Sequence, residues 1–297
     1  MLFRISINLC RDVCKYLLKY ESLLRGKAPE FEYRIDLNAK DHANLITLVV
    51  SIDQLTDADK LWKNAYDMAK EHINLFNPNY IARNFIPKNC IPQEEKCNEC
   101  SRLCKFKGLV HIISKLHRMK FKMAIRWLYN SIMLQKYNDD SRNVPKGIPA
   151  KDLQDHIRKD RYKGYHWLGL GGDKLFSLWI RIETDYGYWK YDEKELSEVD
   201  IPVDIHIARV PFKIGALQLV KPKHSEISIG KIKPLIRLFW RLGGGTPLRY
   251  DELVWNLSKR FCSKCEGTSH LLNCPLDDLC QKISIRSSKG CYGTLSL

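Results

Sequence analysis

The chain has 297 residues, of which 44% are apolar and 28% are charged, which is the composition of an ordinary globular protein and not of a disordered tail. Its 49 Lys and Arg residues against 34 Asp and Glu residues give a net charge of +15. This excess favours a polyanionic partner, because Lys and Arg side chains that neutralise phosphates release condensed counterions. A membrane surface would also satisfy the charge.

No run of about 18 apolar residues occurs, so no membrane-spanning helix is predicted. The first residues, "MLFRISINLCRDVCKYLLKYESLLRGK", mix charges into their apolar stripe and lack the apolar core of a signal peptide. We therefore expect an intracellular protein, cytoplasmic and associated with the nucleoid. In a reducing compartment clustered cysteines are more often metal ligands than disulfides, and most of the eleven cysteines are clustered.

Helical periodicity dominates the chain and predicts a mainly α fold. The segment "HANLITLVVSIDQ" is long and apolar. Apolar side chains recur at positions i, i+3, i+4 and i+7 in two later segments, namely Leu175, Leu178, Trp179 and Ile182, and Leu253, Val254, Leu257 and Phe261. Strand-like alternation is scarce.

A first group of four cysteines precedes the middle of the chain. Cys90, Cys97, Cys100 and Cys104 have the spacing C-x6-C-x2-C-x3-C. Thiolates this close in sequence can converge on one metal, so we predict a site for zinc or an iron–sulfur cluster. The remaining pair near the N-terminus, Cys10 and Cys14, is interpreted as small core residues of an amphipathic helix.

A glycine-rich turn precedes the helix that is predicted to start near Lys174. Gly169, Gly171 and Gly172 would let the backbone approach a ligand and leave amide N–H groups at a helix N-terminus, which suits phosphate. The simpler interpretation is a turn and nothing more.

The stretch "IPVDIHIARV" places one carboxylate, Asp204, two residues after Pro202 at what reads as a helix start. An aspartate there is typical of an N-cap, and N-caps greatly outnumber catalytic acids. A catalytic acid remains the alternative.

Thr246 is expected to cap a helix whose first residue is Pro247 and which runs into a second group of cysteines. Cys262, Cys265, Cys274 and Cys280 have the spacing C-x2-C-x8-C-x5-C. Four thiolates within this short segment predict one tetrahedral metal or one four-iron four-sulfur cluster. His270 could substitute as a ligand, although a solvated loop histidine is the favoured interpretation.

These motifs follow one another in a familiar order: a W-x-G-x-G hairpin, Lys174 just after it, a "PVD-x-H" segment 30 residues further on, and a loop ending "CPL-x-x-x-C". In that order they resemble the helix-hairpin-helix base-excision DNA glycosylases. The cysteine loop is similar to the iron–sulfur loop of endonuclease III and the adenine glycosylases. "IPVDIHIARV" and the lysine-to-aspartate gap are closer to the archaeal-type 8-oxoguanine glycosylases, which lack the cysteine loop.

Two features depart from the family pattern. The first loop spacing is C-x2-C-x8-C, where the family usually has C-x6-C-x2-C, and the hairpin is one residue longer than usual. The cysteine group at 90 to 104 has no counterpart that we can name in the family.

The resemblance implies a two-lobed helical fold with a C-terminal cysteine-rich metal loop. Residues 39–200 would form a central helical barrel domain that includes the hairpin and a cysteine-rich insertion at about 88–105. Residues 1–38 and 201–297 would form the second helical domain, with the metal loop at 262–280. The loop would hold a four-iron four-sulfur cluster, with zinc as the alternative.

The resemblance also implies a DNA glycosylase with AP lyase activity, in which Lys174 is the nucleophile, Asp204 is the acid and both belong to one active site. DNA contacts would come from Gly169, Gly171, Gly172, Arg209 and Lys213, and the base pocket or wedge from Asp53, Gln54, Tyr165, His166 and Trp167. The expected partner is double-stranded DNA with a damaged base. We expect the protein to be a monomer and not to bind a membrane. A non-catalytic nucleic-acid-binding protein with two structural zinc sites is the alternative.

Overall fold

The computed structural model describes residues 3–33, 35–86, 105–220, 226–265, 274–281, 283, 286–287 and 294–296. The chain is mainly helical, as the periodicity predicts. It divides into two compact units, a terminal unit of Met1–Ala28 with Asp192–Leu297 and a central unit of Pro29–Tyr191. The domain boundaries expected from sequence fall somewhat later in the chain, at 38/39 and 200/201. Among the described residues, none of the helices combines the length and apolar character that a membrane crossing needs.

The helices, in chain order, are α1 (Ile7–Lys19), α2 (Glu21–Leu24), α3 (Pro29–Glu32), α4 (Ala39–Ile52), α5 (Ala58–Glu71), α6 (Pro78–Phe85), α7 (Phe106–Ile113), α8 (Lys120–Gln135), α9 (Ala150–Lys159), α10 (Asp173–Asp185), α11 (Glu193–Ser197), α12 (Ile205–Lys213), α13 (Ile229–Leu242) and α14 (Asp251–Leu257). The strands are short: β1 (Phe3–Ile5), β2 (Arg161–Tyr162), β3 (Tyr165–His166), β4 (Leu217–Leu219), β5 (Glu226–Ser228), β6 (Arg286–Ser287) and β7 (Thr294–Ser296). They pair antiparallel, β1 with β4, β2 with β3, and β7 with both β5 and β6.

The central unit is organised around α4. Its side chains from His42 to Ile52 are all buried, and it packs against α5, α8 and α10. A helix that is apolar nearly all round belongs inside a core, so the segment's composition accounts for its position. Asn38 starts the helix by accepting a hydrogen bond from the Asp41 N–H at 3.0 Å.

Glu183 on α10 is a fully buried carboxyl group in this core. It accepts hydrogen bonds from Thr47 Oγ1 at 3.0 Å, Trp179 Nε1 at 3.1 Å and Ser141 Oγ at 3.3 Å. Burial raises the pKa of Glu183 to about 8, because removal from water disfavours the charged form more than these donors favour it.

The terminal unit is built around α12, which packs against α13 and α14. Strand β1 pairs with β4, with Phe3 opposite Leu219, so the start of the chain is joined to its C-terminal part. Cys10 and Cys14 on α1 are buried in this core, which confirms their interpretation as packing residues.

The segment predicted as one helix after Thr246 is divided into three pieces. Pro247–Tyr250 is a 3-10 turn, α14 follows it, and a π-helical turn at Ser258–Cys262 leads to the first cysteine of the C-terminal group. Thr246 occupies the N-cap position without capping through its side chain, since its Oγ1 donates to the Glu193 carbonyl at 3.1 Å.

The buried Glu183 carboxyl predicts a specific pH dependence of stability. Its folded pKa is above the ordinary value of 4.5, so the folded state holds the proton more tightly, and stability falls as pH rises from about 4.5 to about 8. Glu183→Gln removes the titration, so its stability relative to the natural protein should rise across that window by several kcal/mol, since each pKa unit corresponds to about 1.4 kcal/mol.

Urea unfolding of both proteins at pH 5 and pH 8.5 measures this difference. Glu32→Gln, at an exposed position of the same unit, is the matched control and should show no such change. An equal stability difference between Glu183→Gln and the natural protein at both pH values would contradict the prediction.

Candidate functional site

The glycine-rich hairpin before α10 is a backbone turn. The Gly172 N–H donates to the Gly169 carbonyl at 2.9 Å, and Gly169 has φ +83°, which strongly favours glycine. Gly172 is the N-cap of α10 and has no side chain to cap with. Lys174 is therefore the second residue of the helix, where it is half-buried. The predicted helix start at the hairpin is confirmed.

Side chains from α8 and α9 fix the hairpin's backbone. Asn130 on α8 donates from Nδ2 to the Leu168 carbonyl at 3.0 Å and accepts from the Leu168 N–H at 2.9 Å. Arg158 on α9 donates from Nε to the Gly171 carbonyl at 2.9 Å and from Nη2 to Asp173 Oδ1 at 2.8 Å. Because both flanks are held, the start of α10 has a defined orientation within the central unit.

The hairpin lies against the last turn of α4, and Arg126 links that helix end to Gln54 in the turn that follows. Arg126 on α8 donates from Nη1 to the Ser51 carbonyl at 3.1 Å and to Gln54 Oε1 at 2.9 Å. A Cβ atom on Gly169 would lie 2.8 Å from that Ser51 oxygen and 3.0 Å from Arg126 Nη1. We call Ser51, Gln54, Arg126 and Gly169 the hairpin–turn junction. It joins two of the sequence motifs into one surface of the central unit, next to the buried Asp53.

The aromatic residues expected in a base pocket or wedge are mostly committed to packing. Trp167 is buried and donates from Nε1 to Asp160 Oδ2 at 3.0 Å, so its role as a pocket residue is corrected to a core role. Tyr165 is also buried, with its ring 4.9 Å from that of Tyr129. His166 is half-buried in β3 and keeps a partly exposed ring.

Asp204 is the N-cap of α12, as the sequence predicts. Its Oδ1 accepts from the His206 N–H at 2.8 Å and from the Ile207 N–H at 3.0 Å. Ile201 and Val203 before it are buried, whereas Asp204 itself is only half-buried. Both capping bonds end on Oδ1, so the cap does not use Oδ2.

Arg209 and Lys213 are buried, with relative exposures of 5% and 2%, and are therefore not the solvent-facing DNA contacts expected from sequence. They lie four residues apart on one face of α12. Lys213 Nζ donates to the Cys265 carbonyl, and Arg209 Nη1 donates to Ser258 Oγ at 3.2 Å. Their charges face the segment that carries the C-terminal cysteines, because that segment folds back over α12.

Cys262, Cys265, Cys274 and Cys280 are not joined in disulfides. Burial raises the pKa of the Cys262 thiol above its ordinary range, nearby Cys274 and Cys280 raise it further, and Lys213 and Arg209 oppose this. Burial also raises the pKa of Cys274, and its interactions include Cys280 and Cys265. The described residues contain no group of three or more His, Cys, Asp or Glu side chains arranged to hold a metal ion, so the metal site at the C-terminal cysteines stays a prediction.

Several predicted ligands lie outside the described residues. They are Cys90, Cys97, Cys100 and Cys104 of the first group, together with His270. The first metal site therefore stays a prediction.

The two residues expected to perform catalysis belong to different compact units, Lys174 to the central unit and Asp204 to the terminal unit. Their convergence on one active site stays a prediction.

Neither the protein-family models nor the curated proteins contain a match to this chain. Its function therefore has to be inferred from the residues and contacts of the two units alone.

The close approach at Gly169 predicts a large effect of one added methyl group. Gly169→Ala should lose stability both from the left-handed backbone, at about 1 to 2 kcal/mol, and from displacement of the Ser51 carbonyl and Arg126. Gly147→Ala is the matched control, because Gly147 has φ +74° but no atom within 4 Å of the position that an added methyl group would take. Urea unfolding should show a clearly greater loss for Gly169→Ala, and equal losses would mean that the junction does not need the glycine.

Proposed function

We propose that this chain is a DNA repair glycosylase of the helix-hairpin-helix type, with AP lyase activity on damaged double-stranded DNA. The observation that carries the proposal is the hairpin–turn junction. A glycine hairpin starts α10, Lys174 lies in the first turn of that helix, and the hairpin packs against the end of α4, where Arg126 also bonds Gln54. The Asp204 cap of α12 supplies the second expected element, a carboxylate whose backbone position is fixed.

The hairpin suits a phosphate backbone. The first turn of a helix presents N–H groups and the positive end of the helix dipole. The Asp173 carboxylate in that turn is paired with Arg158, at 2.8 Å, which offsets its negative charge. The net charge of +15 also favours binding of the DNA duplex. Binding should therefore weaken steeply as salt concentration rises.

Lys174 would act as the nucleophile. Its neutral amine attacks C1′ of the deoxyribose as the bond to the damaged base breaks, and the base leaves with a proton. Loss of the amine proton and opening of the sugar ring give a Schiff base, and removal of a C2′ proton then breaks the C3′–O bond to phosphate. The positive end of the helix dipole favours the neutral amine that the first step requires.

Asp204 would stabilise the positive charge that develops on the sugar as the glycosidic bond lengthens. Its Oδ1 is engaged by two backbone N–H groups, which fix the carboxylate, and the proposal assigns Oδ2 to the substrate. The proposal requires that Asp204 and Lys174 act on the same nucleotide.

The C-terminal cysteines are proposed to hold one four-iron four-sulfur cluster, with zinc as the alternative. The thiols are not in disulfides, they interact electrostatically, and two buried cations, Arg209 and Lys213, face their segment. Four thiolates around a metal centre carry net negative charge, which such cations would balance. A bound group would brace the terminal unit. Cys90 to Cys104 are proposed to hold zinc or a second cluster.

The protein is proposed to act as a monomer at the nucleoid. These proposals follow from the motif order and the net charge, because a basic protein is drawn to nucleic acid.

The proposed roles of Lys174 and Asp204 predict two different defects, one in adduct formation and one in base release. Lys174→Gln should abolish the borohydride-trapped adduct with damaged DNA while leaving DNA binding intact. Asp204→Asn should lower base release about 100-fold or more, the scale for losing an acid–base or electrostatic catalyst. Asn caps helices as well as Asp, so this variant should keep its fold. Lys190→Gln, at an exposed position, is the matched control.

A panel of duplexes with single lesions provides the measurement. An adduct that survives Lys174→Gln would place the nucleophile elsewhere. Binding without product from any lesion would support the alternative, a non-catalytic nucleic-acid-binding protein with two structural zinc sites.

The metal sites predict two independent losses on substitution. Cys262→Ala should remove absorbance near 400 nm, the iron–sulfur signature, and Cys97→Ala should lower the remaining metal content and the thermal midpoint. Elemental analysis of the purified proteins checks both. If the C-terminal group accounts for all bound metal, the site at Cys90 to Cys104 is absent, and a colourless protein with stoichiometric zinc would exclude the iron–sulfur cluster.

A further inference from the structure

Strands β2 and β3 form a short hairpin with a lysine in an unusual backbone conformation. Tyr162 pairs with Tyr165, so Lys163 and Gly164 are the two loop residues. Both have positive φ, +51° at Lys163 and +83° at Gly164, which is the pattern of a type I′ turn. Asparagine or glycine suits the first of these positions, whereas a longer side chain there is strained. The turn alone does not favour a lysine, so the side chain requires another explanation.

The β2–β3 hairpin keeps two positive charges in solvent. Lys163 is exposed, and its Nζ lies 4.9 Å from the centre of the Tyr162 ring, a contact that favours the charged ammonium. Arg161 is also exposed, and its Nη1 donates to the carbonyls of Arg158 at 2.8 Å and Asp160 at 2.7 Å. Neutral carbonyls orient a guanidinium without cancelling its charge.

The acidic side chains beside this hairpin are paired with other cations. Asp160 is buried, and its carboxylate contacts Lys136 Nζ. Asp155 and Asp173 both contact the Arg158 guanidinium, at 3.4 Å and 2.8 Å. These acids are therefore balanced by Lys136 and Arg158. The exposed cations that remain over this short segment are Lys159, Arg161 and Lys163.

Hydrogen bonds join the β2–β3 hairpin to the glycine hairpin that starts α10. Arg161 donates to the Arg158 carbonyl, and Arg158 Nε donates to the Gly171 carbonyl at 2.9 Å. Asp152, a further exposed acid of α9, lies in the first turn of that helix, at the end away from the β2–β3 hairpin. The three exposed cations thus adjoin the start of α10 within the central unit.

The composition of this surface fits a phosphate backbone. Exposed Arg and Lys side chains bond phosphate oxygens in protein–DNA complexes and fix the position of the protein on the duplex. A membrane-binding surface would combine its cations with exposed apolar side chains. The loop of the β2–β3 hairpin offers a lysine and a glycine instead, so nucleic acid is the better partner.

We propose that the β2–β3 hairpin bonds duplex phosphates through Arg161 and Lys163, beside the nucleotide that is bound at the start of α10. This inference rests on the proposed function and adds a DNA contact outside the sequence motifs. The sequence-based expectation assigned Tyr165, His166 and Trp167 of this segment to the base pocket or wedge. Tyr165 and Trp167 are buried, and the exposed loop before them carries the interaction.

The test measures the affinity of full-length variants for a duplex with a single lesion at several salt concentrations. Loss of one phosphate contact should lower the slope of log K against log salt by about 0.9 and weaken binding several-fold. Lys163→Asn should show both effects with an unchanged or higher thermal midpoint, because asparagine tolerates the left-handed backbone better than lysine. Arg161→Gln should lower the slope equally, and the double variant should lower it about twice as much.

Lys190→Asn is the matched control, because Lys190 is an exposed lysine of the same unit and its loss changes the net charge equally. It should leave the affinity and the salt slope unchanged. Vesicles of phosphatidylglycerol and phosphatidylcholine are the second probe. Sedimentation of the protein with these vesicles should not depend on Arg161 or Lys163.

The outcomes separate this inference from the proposed function. Base release with an unchanged affinity and slope in the double variant would overturn the phosphate contact and leave the glycosylase intact. A slope that falls with each hairpin substitution, without base release from any lesion, would support the contact and reject the enzyme. Vesicle sedimentation that depends on Lys163, with DNA binding that does not, would replace the contact by a membrane surface. Failure of the natural protein to bind the duplex would overturn both.

Discussion

The space where a Gly169 side chain would stand is the constraint on which the candidate site depends. The Ser51 carbonyl and the Arg126 guanidinium occupy that space, so the hairpin and the last turn of α4 meet at backbone distance. Arg126 connects them because one Nη1 donates both to the Ser51 carbonyl and to Gln54. A bulkier residue would separate the two loops, and the start of α10 would then lose its fixed relation to the turn.

Two helices in this protein begin in different ways, and the difference suits different chemistry. α12 begins with Asp204, whose carboxylate satisfies two of the first N–H groups. α10 begins with Gly172, which has no side chain to cap the helix. A helix capped by its own carboxylate presents a fixed negative group, whereas a glycine start leaves the positive end of the dipole for an external anion.

The terminal unit contains two buried cations, Arg209 and Lys213. Arg209 and Lys213 are buried on one face of α12, and a buried cation is unfavourable unless an anion or good acceptors compensate it. The Cys265 carbonyl accepts from Lys213, Ser258 Oγ accepts from Arg209, and the Asp204 carboxylate interacts electrostatically with Arg209. Thiolates bound to a metal would add further negative charge, so metal binding and folding of this unit would be coupled.

The sequence alone determined the features that depend on residues a few positions apart. The helical class, the helix start after the glycine hairpin, the Asp204 cap and the core placement of Cys10 and Cys14 all follow from periodicity and capping, which are local. The grouping of the C-terminal cysteines can be recognised in the sequence for the same reason.

The tertiary structure decided which side chains are available. Trp167 is engaged by Asp160, and Gln54 is held by Arg126 from 72 residues away. Lys213 is buried under the segment of Cys265. A lysine or tryptophan has the same local pattern whether it faces a ligand or the interior. Its burial is set by elements that are distant in sequence, and only their packing removes it from water.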